Sequence, residues 1–113
     1  HADAAITVPI GEIDDESKRL LEVTRASLED AIEEILPGNR LGDVGAAVEN
    51  RAVAAGFSIV REYVGHGIGT AMHEEPQVPN YGPAGRGMKI KEGQKCHRPS
   101  VSDIERPVAL GYQ

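Results

Sequence analysis

An α+β fold with two helices packed on an antiparallel sheet is predicted by three observations. Residues 14–36 carry apolar side chains at helical spacing, residues 41–55 do so again, and a β-branched and aromatic run at 57–64 delivers the chain into the glycine-punctuated stretch GHGIGTAMHEEPQVPNYG, 65–82. At 113 residues there is room for one hydrophobic core. Apolar residues make up 40% of the chain but aromatics only 4%, so Ile, Leu, Val and Ala must fill that core. The 13 Gly and 7 Pro gather mainly beyond position 65, which assigns the second half largely to loops and tight turns.

Taken in order, Ile6, Val8 and Ile10 alternate with Ala5, Thr7 and Pro9, the pattern of a short strand with one apolar face; its proline places it at a sheet edge or a strand end. In DDESKRLLEVTRASLEDAIEEILPG, Leu20, Leu21, Thr24, Leu28, Ala31, Ile32, Ile35 and Leu36 form one stripe of an amphipathic helix. Asp14 or Asp15 caps its start, and Pro37-Gly38 stops it. A second helix carries Leu41, Val44, Ala47, Val48, Ala52 and Ala55, with Asn39 before it and Gly56 after it. FSIVREYV, 57–64, reads as the strand that leads into the Gly-His-Gly loop.

A formal charge of −6 argues against general affinity for nucleic acid, whose phosphates call for clustered Lys and Arg. The one cysteine, Cys96, has no internal partner, which fits a reducing compartment. No apolar run approaches the roughly 20 residues that span a bilayer. A cytoplasmic protein without membrane attachment is the expectation. The chain opens on His1 rather than Met, so a processed, excised or truncated product is expected.

His66 and His73, with Gly65, Gly67 and Gly69 around the first, allow two readings. In one, the glycines adopt positive φ so that an imidazole reaches a metal ion, while the second imidazole reaches a substrate. In the other, His66 is a hydrogen-bonded turn residue and His73 a surface one. Glu74 stays open between a ligand or general base and a solvated turn residue; Glu75 reads as solvated. Asp3 on its own reads as a cap or surface charge, and adjacent Cys96 and His97 as solvated tail residues rather than ligands.

REYVGHGIGTAMHEEPQVPNYG resembles the signature segment of type I methionine aminopeptidases, and HADAAITVPIGEID resembles the segment in which a histidine, a small residue and an aspartate begin a strand of the same enzymes. GHGIG alone also fits prolidases and aminopeptidase P; HEEPQVPNYG narrows the likeness. The resemblance covers 1–93 as part of a catalytic domain, with 94–113 a divergent C-terminal tail. It implies part of the pita-bread (aminopeptidase/creatinase-like) fold and hydrolysis of the N-terminal Met of nascent polypeptides by a metal-bound hydroxide. Two divalent ions are implied, with Co, Mn, Fe and Zn not distinguished. Residue by residue, Asp3 matches a bridging carboxylate and His66 an imidazole ligand. His73 matches the histidine that contacts the scissile amide and substrate, and Met72 falls near the pocket for the Met side chain. The partners implied are a nascent N-terminus and the ribosome.

The sequence also departs from that pattern. Further acidic ligands of the family would precede Asp3 and follow KIKEG, where the chain instead reads QKCHRPSVSDIERPVALGYQ. Glu105 has a faint likeness to one of them, as a metal ligand, although Arg106 intrudes before Pro107. Ala2 stands where the family has glycine. The expected activity is therefore impaired, and the alternative is a catalytically inactive remnant acting as a peptide-binding or interaction module.

Overall fold

The computed structural model describes residues 6–61 and 64–93, together with the backbone of 104 and 105. The first helix, α1, runs Asp15–Glu34 and is capped by Asp14, whose carboxylate accepts from the Ser17 N–H at 2.6 Å. Asp15 and Glu16 in its first turn suit the positive end of the helix dipole. The helix stops at Glu34, short of Pro37-Gly38, and Asn39 explains how its end is held. The Asn39 side-chain amide donates to Glu34 O at 2.9 Å, so a residue expected to introduce the second helix closes the first.

Helix α2, Leu41–Ala54, has Arg40 as its N-cap residue. Its unsatisfied N–H groups are met from inside and outside the helix. Asp43 Oδ2 accepts from Arg40 N at 2.8 Å, while Leu41 N and Gly42 N donate to Met88 O and Arg86 O, both at 2.9 Å. Gly56, at φ +84, ends the helix as expected.

The face α1 turns inward is Leu20, Thr24, Ser27 and Ala31. Thr24 and Ser27 are buried without cost because their hydroxyls donate to Leu20 O and Val23 O, each at 2.7 Å, and their small size lets α2 approach. Ile32, in the last turn, and Ile35 and Leu36, beyond the end of the helix, are 40%, 40% and 55% exposed rather than part of the buried stripe. The core joins Ala31 to Leu41, Val44, Val48 and Ala52 of α2 and to Phe57, Ile59, Val78 and Ile90. Across the helix pair, Arg51 grips Asp30 through two bonds of 2.6 and 3.0 Å; the arginine holds that carboxyl below the usual aspartate range.

Two small antiparallel pairs complete the fold. Strand β1, Ser58–Ile59, places Ser58 opposite Glu105 and Ile59 opposite Ile104 of β4, Ile104–Glu105. Strand β2, Gly65–Gly67, pairs with β3, Glu74–Val78. Gly65 faces Val78 and His66 faces Gln77, but Gly67 faces Glu74, so Glu75 and Pro76, joined by a cis peptide, make an irregularity in register. Of the strand expected over 57–64, the described residues pair at 58–59, and pairing is seen again at Gly65. The strand expected over Ile6, Val8 and Ile10 is not formed: these residues are 88%, 64% and 92% exposed, and no ladder among the described residues reaches them. Alternation gives a strand its apolar face, but only a partner supplies its hydrogen bonds, and Pro9 removes one donor.

Residues 79–90 return over α2, and its small side chains make this possible. A Cβ on Gly45 would overlap Tyr81 O and come within 2.8 Å of Pro79 O. Gly42 meets Pro83 O and Arg86 O in the same way.

Candidate active site

His66 lies at the centre of β2, and alternation along the strand buries Gly65 and Gly67 while His66 stays half-buried on the other face. The glycines serve close approach rather than unusual backbone angles. None of Gly65, Gly67 and Gly69 has positive φ, contrary to the sequence expectation. Instead, a Cβ on Gly67 would overlap Glu75 O and stand 2.9 Å from Glu74 O, and one on Gly69 would stand 2.9 Å from Glu74 Oε2.

The turn between β2 and β3 is fastened by Glu74. Its Oε1 accepts from the Ala71 N–H at 2.8 Å and from the Thr70 hydroxyl at 2.9 Å. The Ala71 N–H, then the Thr70 hydroxyl, hold the Glu74 carboxyl below the usual glutamate range, so it stays ionised and clasps the turn. Glu74 thus has a part in the turn that neither reading of the sequence named, while Glu75 is exposed, as its solvated reading expected.

The clasped turn carries His73 back over His66. Their ring centroids are 4.2 Å apart with planes tilted by 43°. His66 Nδ1 lies 3.0 Å from Gly67 O; a carbonyl oxygen only accepts, so the contact suits the tautomer with its proton on Nδ1, which would leave the lone pair on Nε2. Met72, beside His73 in the turn, is 41% exposed. Of the other residues singled out by sequence, Asp3, Cys96 and His97 lie outside the described residues, and Glu105 is described only as backbone opposite Ser58.

A neutral imidazole presenting Nε2 is the form in which histidine binds a divalent ion. The described residues fit that one ligand role. Among them no group of three or more His, Cys, Asp and Glu side chains is arranged to hold a metal ion, so they do not complete a shell by themselves. The base of the hairpin is closed by Glu49, Arg61 and Tyr81, which the sequence reading does not single out. Glu49 belongs to the polar side of a helix and carries no local signal for a contact with a loop 33 residues away.

Comparison with known proteins matches residues 1–97 to the model of metallopeptidase family M24. The chain belongs to metallopeptidase family M24. This M24 chain is 47% identical over 93 residues to methionine aminopeptidase 1 of Bacillus subtilis strain 168, covering 82% of the chain and 38% of that relative. It is 44% identical over 111 residues to the methionine aminopeptidase of Clostridium perfringens strain 13, covering 98% of the chain and 42% of that relative. It superposes on the crystal structure of methionine aminopeptidase from Thermotoga maritima with a TM-score of 0.75 and 46% identity, over 77% of this chain and 35% of that one. The Rickettsia prowazekii enzyme gives a TM-score of 0.72 and 42% identity, over 74% and 34%. The M24 chain therefore has part of the pita-bread fold and spans between 34% and 42% of the length of these relatives. No helix among the described residues is long and apolar enough to cross a membrane.

Proposed function

We propose that this M24 chain carries the histidine hairpin with which a methionine aminopeptidase removes the N-terminal Met of nascent polypeptides in the cytoplasm, at or near the ribosome. The observation that carries the reading is the 4.2 Å approach of the His66 and His73 rings, which joins a metal-ligand nitrogen to a second imidazole in one small site. Residues 1–93 form the catalytic part and 94–113 a divergent tail.

His66 and Asp3 are the residues that would hold a divalent ion, with Glu105 as a further candidate carboxylate. Bound there, such an ion acidifies a water and polarises the peptide carbonyl. The chain's own residues do the rest. His73, on the exposed turn, donates to the carbonyl oxygen of the scissile amide as negative charge develops on it. Water adds to the carbonyl carbon, the C–N bond breaks, and the departing amine takes the proton. Met72, beside His73, lines the pocket for the departing Met side chain. Glu74 holds the turn that carries His73 through its bonds to Thr70 and Ala71.

Incubation with Met-Ala-Ser and Mn²⁺ or Co²⁺ tests this. Free Met is expected, slowly, and a chelator is expected to stop its release. No release with any divalent ion would leave the second reading, a noncatalytic peptide-binding module. That reading is favoured by one observation: after KIKEG the sequence runs QKCHRPSVSDIERPVALGYQ where the family has a further acidic ligand.

A further inference from the structure

Glu49, Arg61 and Tyr81 meet where the histidine hairpin leaves the body of the protein. Arg61 precedes β2 and Tyr81 follows β3, so the two arms of the hairpin pass side by side here. A single α2 carboxylate reaches both. Glu49 Oε2 accepts from Arg61 Nη2 at 3.1 Å, and Glu49 Oε1 accepts from the Gly82 N–H at 3.4 Å. The Arg61 guanidinium lies over the Tyr81 ring, 4.5 Å from its centroid.

Among the described residues the two arms are held in different ways. The outgoing arm is seated by packing, with Val78 in the core and the carbonyls of Pro79 and Tyr81 laid against Gly45. The incoming arm reaches β2 from Ile59 by way of Arg61. Strand β2 has only three paired residues and a break in register after His66, and a ladder so short does not fix its own position. The Arg61 contacts tie this arm to α2 and to the seated arm at once.

We propose that Glu49 and Arg61 are positioning residues that, with the Tyr81 ring as platform, hold His66 in register with His73. This deepens the reading given above and rests on it only for the catalytic consequence. The role is geometric rather than stabilising. Arg61 is 62% exposed in its side chain, and exposed ion pairs contribute little to global stability.

The test uses the full 113-residue chain and reads the His66–His73 inter-ring NOE together with amide exchange at Gly65 and Gly67. In Arg61→Gln the NOE is expected to vanish and the two amides to exchange on the order of tenfold faster, with helical circular dichroism unchanged. Glu49→Ala is expected to do the same, and Tyr81→Phe, which keeps the ring, to leave both readouts as they were. Retention of the NOE and of wild-type exchange in Arg61→Gln overturns the proposal, as does their loss in Tyr81→Phe. Methionine release is read separately. A lost ring contact in Arg61→Gln supports the clamp even where the wild-type chain releases no methionine, an outcome that removes only the enzymatic reading. Where the wild-type chain does turn over, kcat falls in Arg61→Gln and KM holds.

Discussion

Replacing His73 with alanine is expected to cut the kcat for methionine release by about 10²–10³-fold while KM changes little. The reason is where the imidazole sits. His73 is exposed on a turn whose shape is set by Glu74, Thr70 and Ala71, so removing its ring opens no cavity and leaves the clasp intact. What is lost is an imidazole whose ring centre lies 4.2 Å from that of His66 and which the proposed function makes the donor to the carbonyl oxygen as it gains charge. A donor that acts on the developing charge changes kcat; one that merely binds substrate changes KM. His73→Gln, which keeps an N–H on a side chain of similar reach, is expected to recover part of the rate. The measurement is the initial rate with Met-Ala-Ser and Mn²⁺. Equal rates for wild type and alanine variant would remove His73 from the reaction.

The largest expected effect on stability is at Gly45. An alanine in the interior of a helix ordinarily gains about 0.8–1.0 kcal/mol over glycine. At Gly45 the sign is expected to reverse, because the added Cβ would overlap Tyr81 O and come within 2.8 Å of Pro79 O. Both are backbone atoms, so relief requires shifting the segment that follows β3 rather than rotating a side chain. Overpacking of this kind costs about 1–3 kcal/mol, and net destabilisation near the upper end is expected. Against a total of only about 5–15 kcal/mol for an ordinary domain, that is a large fraction. Urea unfolding followed by circular dichroism measures it as a lowered midpoint. A midpoint at or above the wild-type value would show that the chain 79–81 does not rest on α2 as described.

The helices were legible because their signals are local. The spacing of Leu20, Thr24 and Ala31, the Asp14 cap and Gly56 each act within one or two turns, and each stands where the pattern puts it. Ser27 was not on the expected face because a hydroxyl reads as polar until its bond to Val23 O is seen. The strands were less legible. Ile6, Val8 and Ile10 alternate as a strand should, but pairing depends on a partner that alternation does not specify. Sequence alone ties the glycines around His66 to backbone angle in one reading of the loop, whereas the pressure on Gly67 comes from Glu75 O, a contact across the hairpin. The two histidines were singled out together, and their rings do meet. The Glu49, Arg61 and Tyr81 cluster was invisible because it joins a helix, a strand approach and a return segment with no common motif.

The account depends most on His66 and Asp3 reaching the same cation. Titrating the chain with Mn²⁺ and following paramagnetic broadening of the His66 and His73 imidazole signals tests this directly. The His66 ring is expected to broaden first and most, at low metal, and Asp3→Asn is expected to demand markedly more Mn²⁺ for the same broadening. Broadening that spares His66, or that is indifferent to Asp3→Asn, would contradict it.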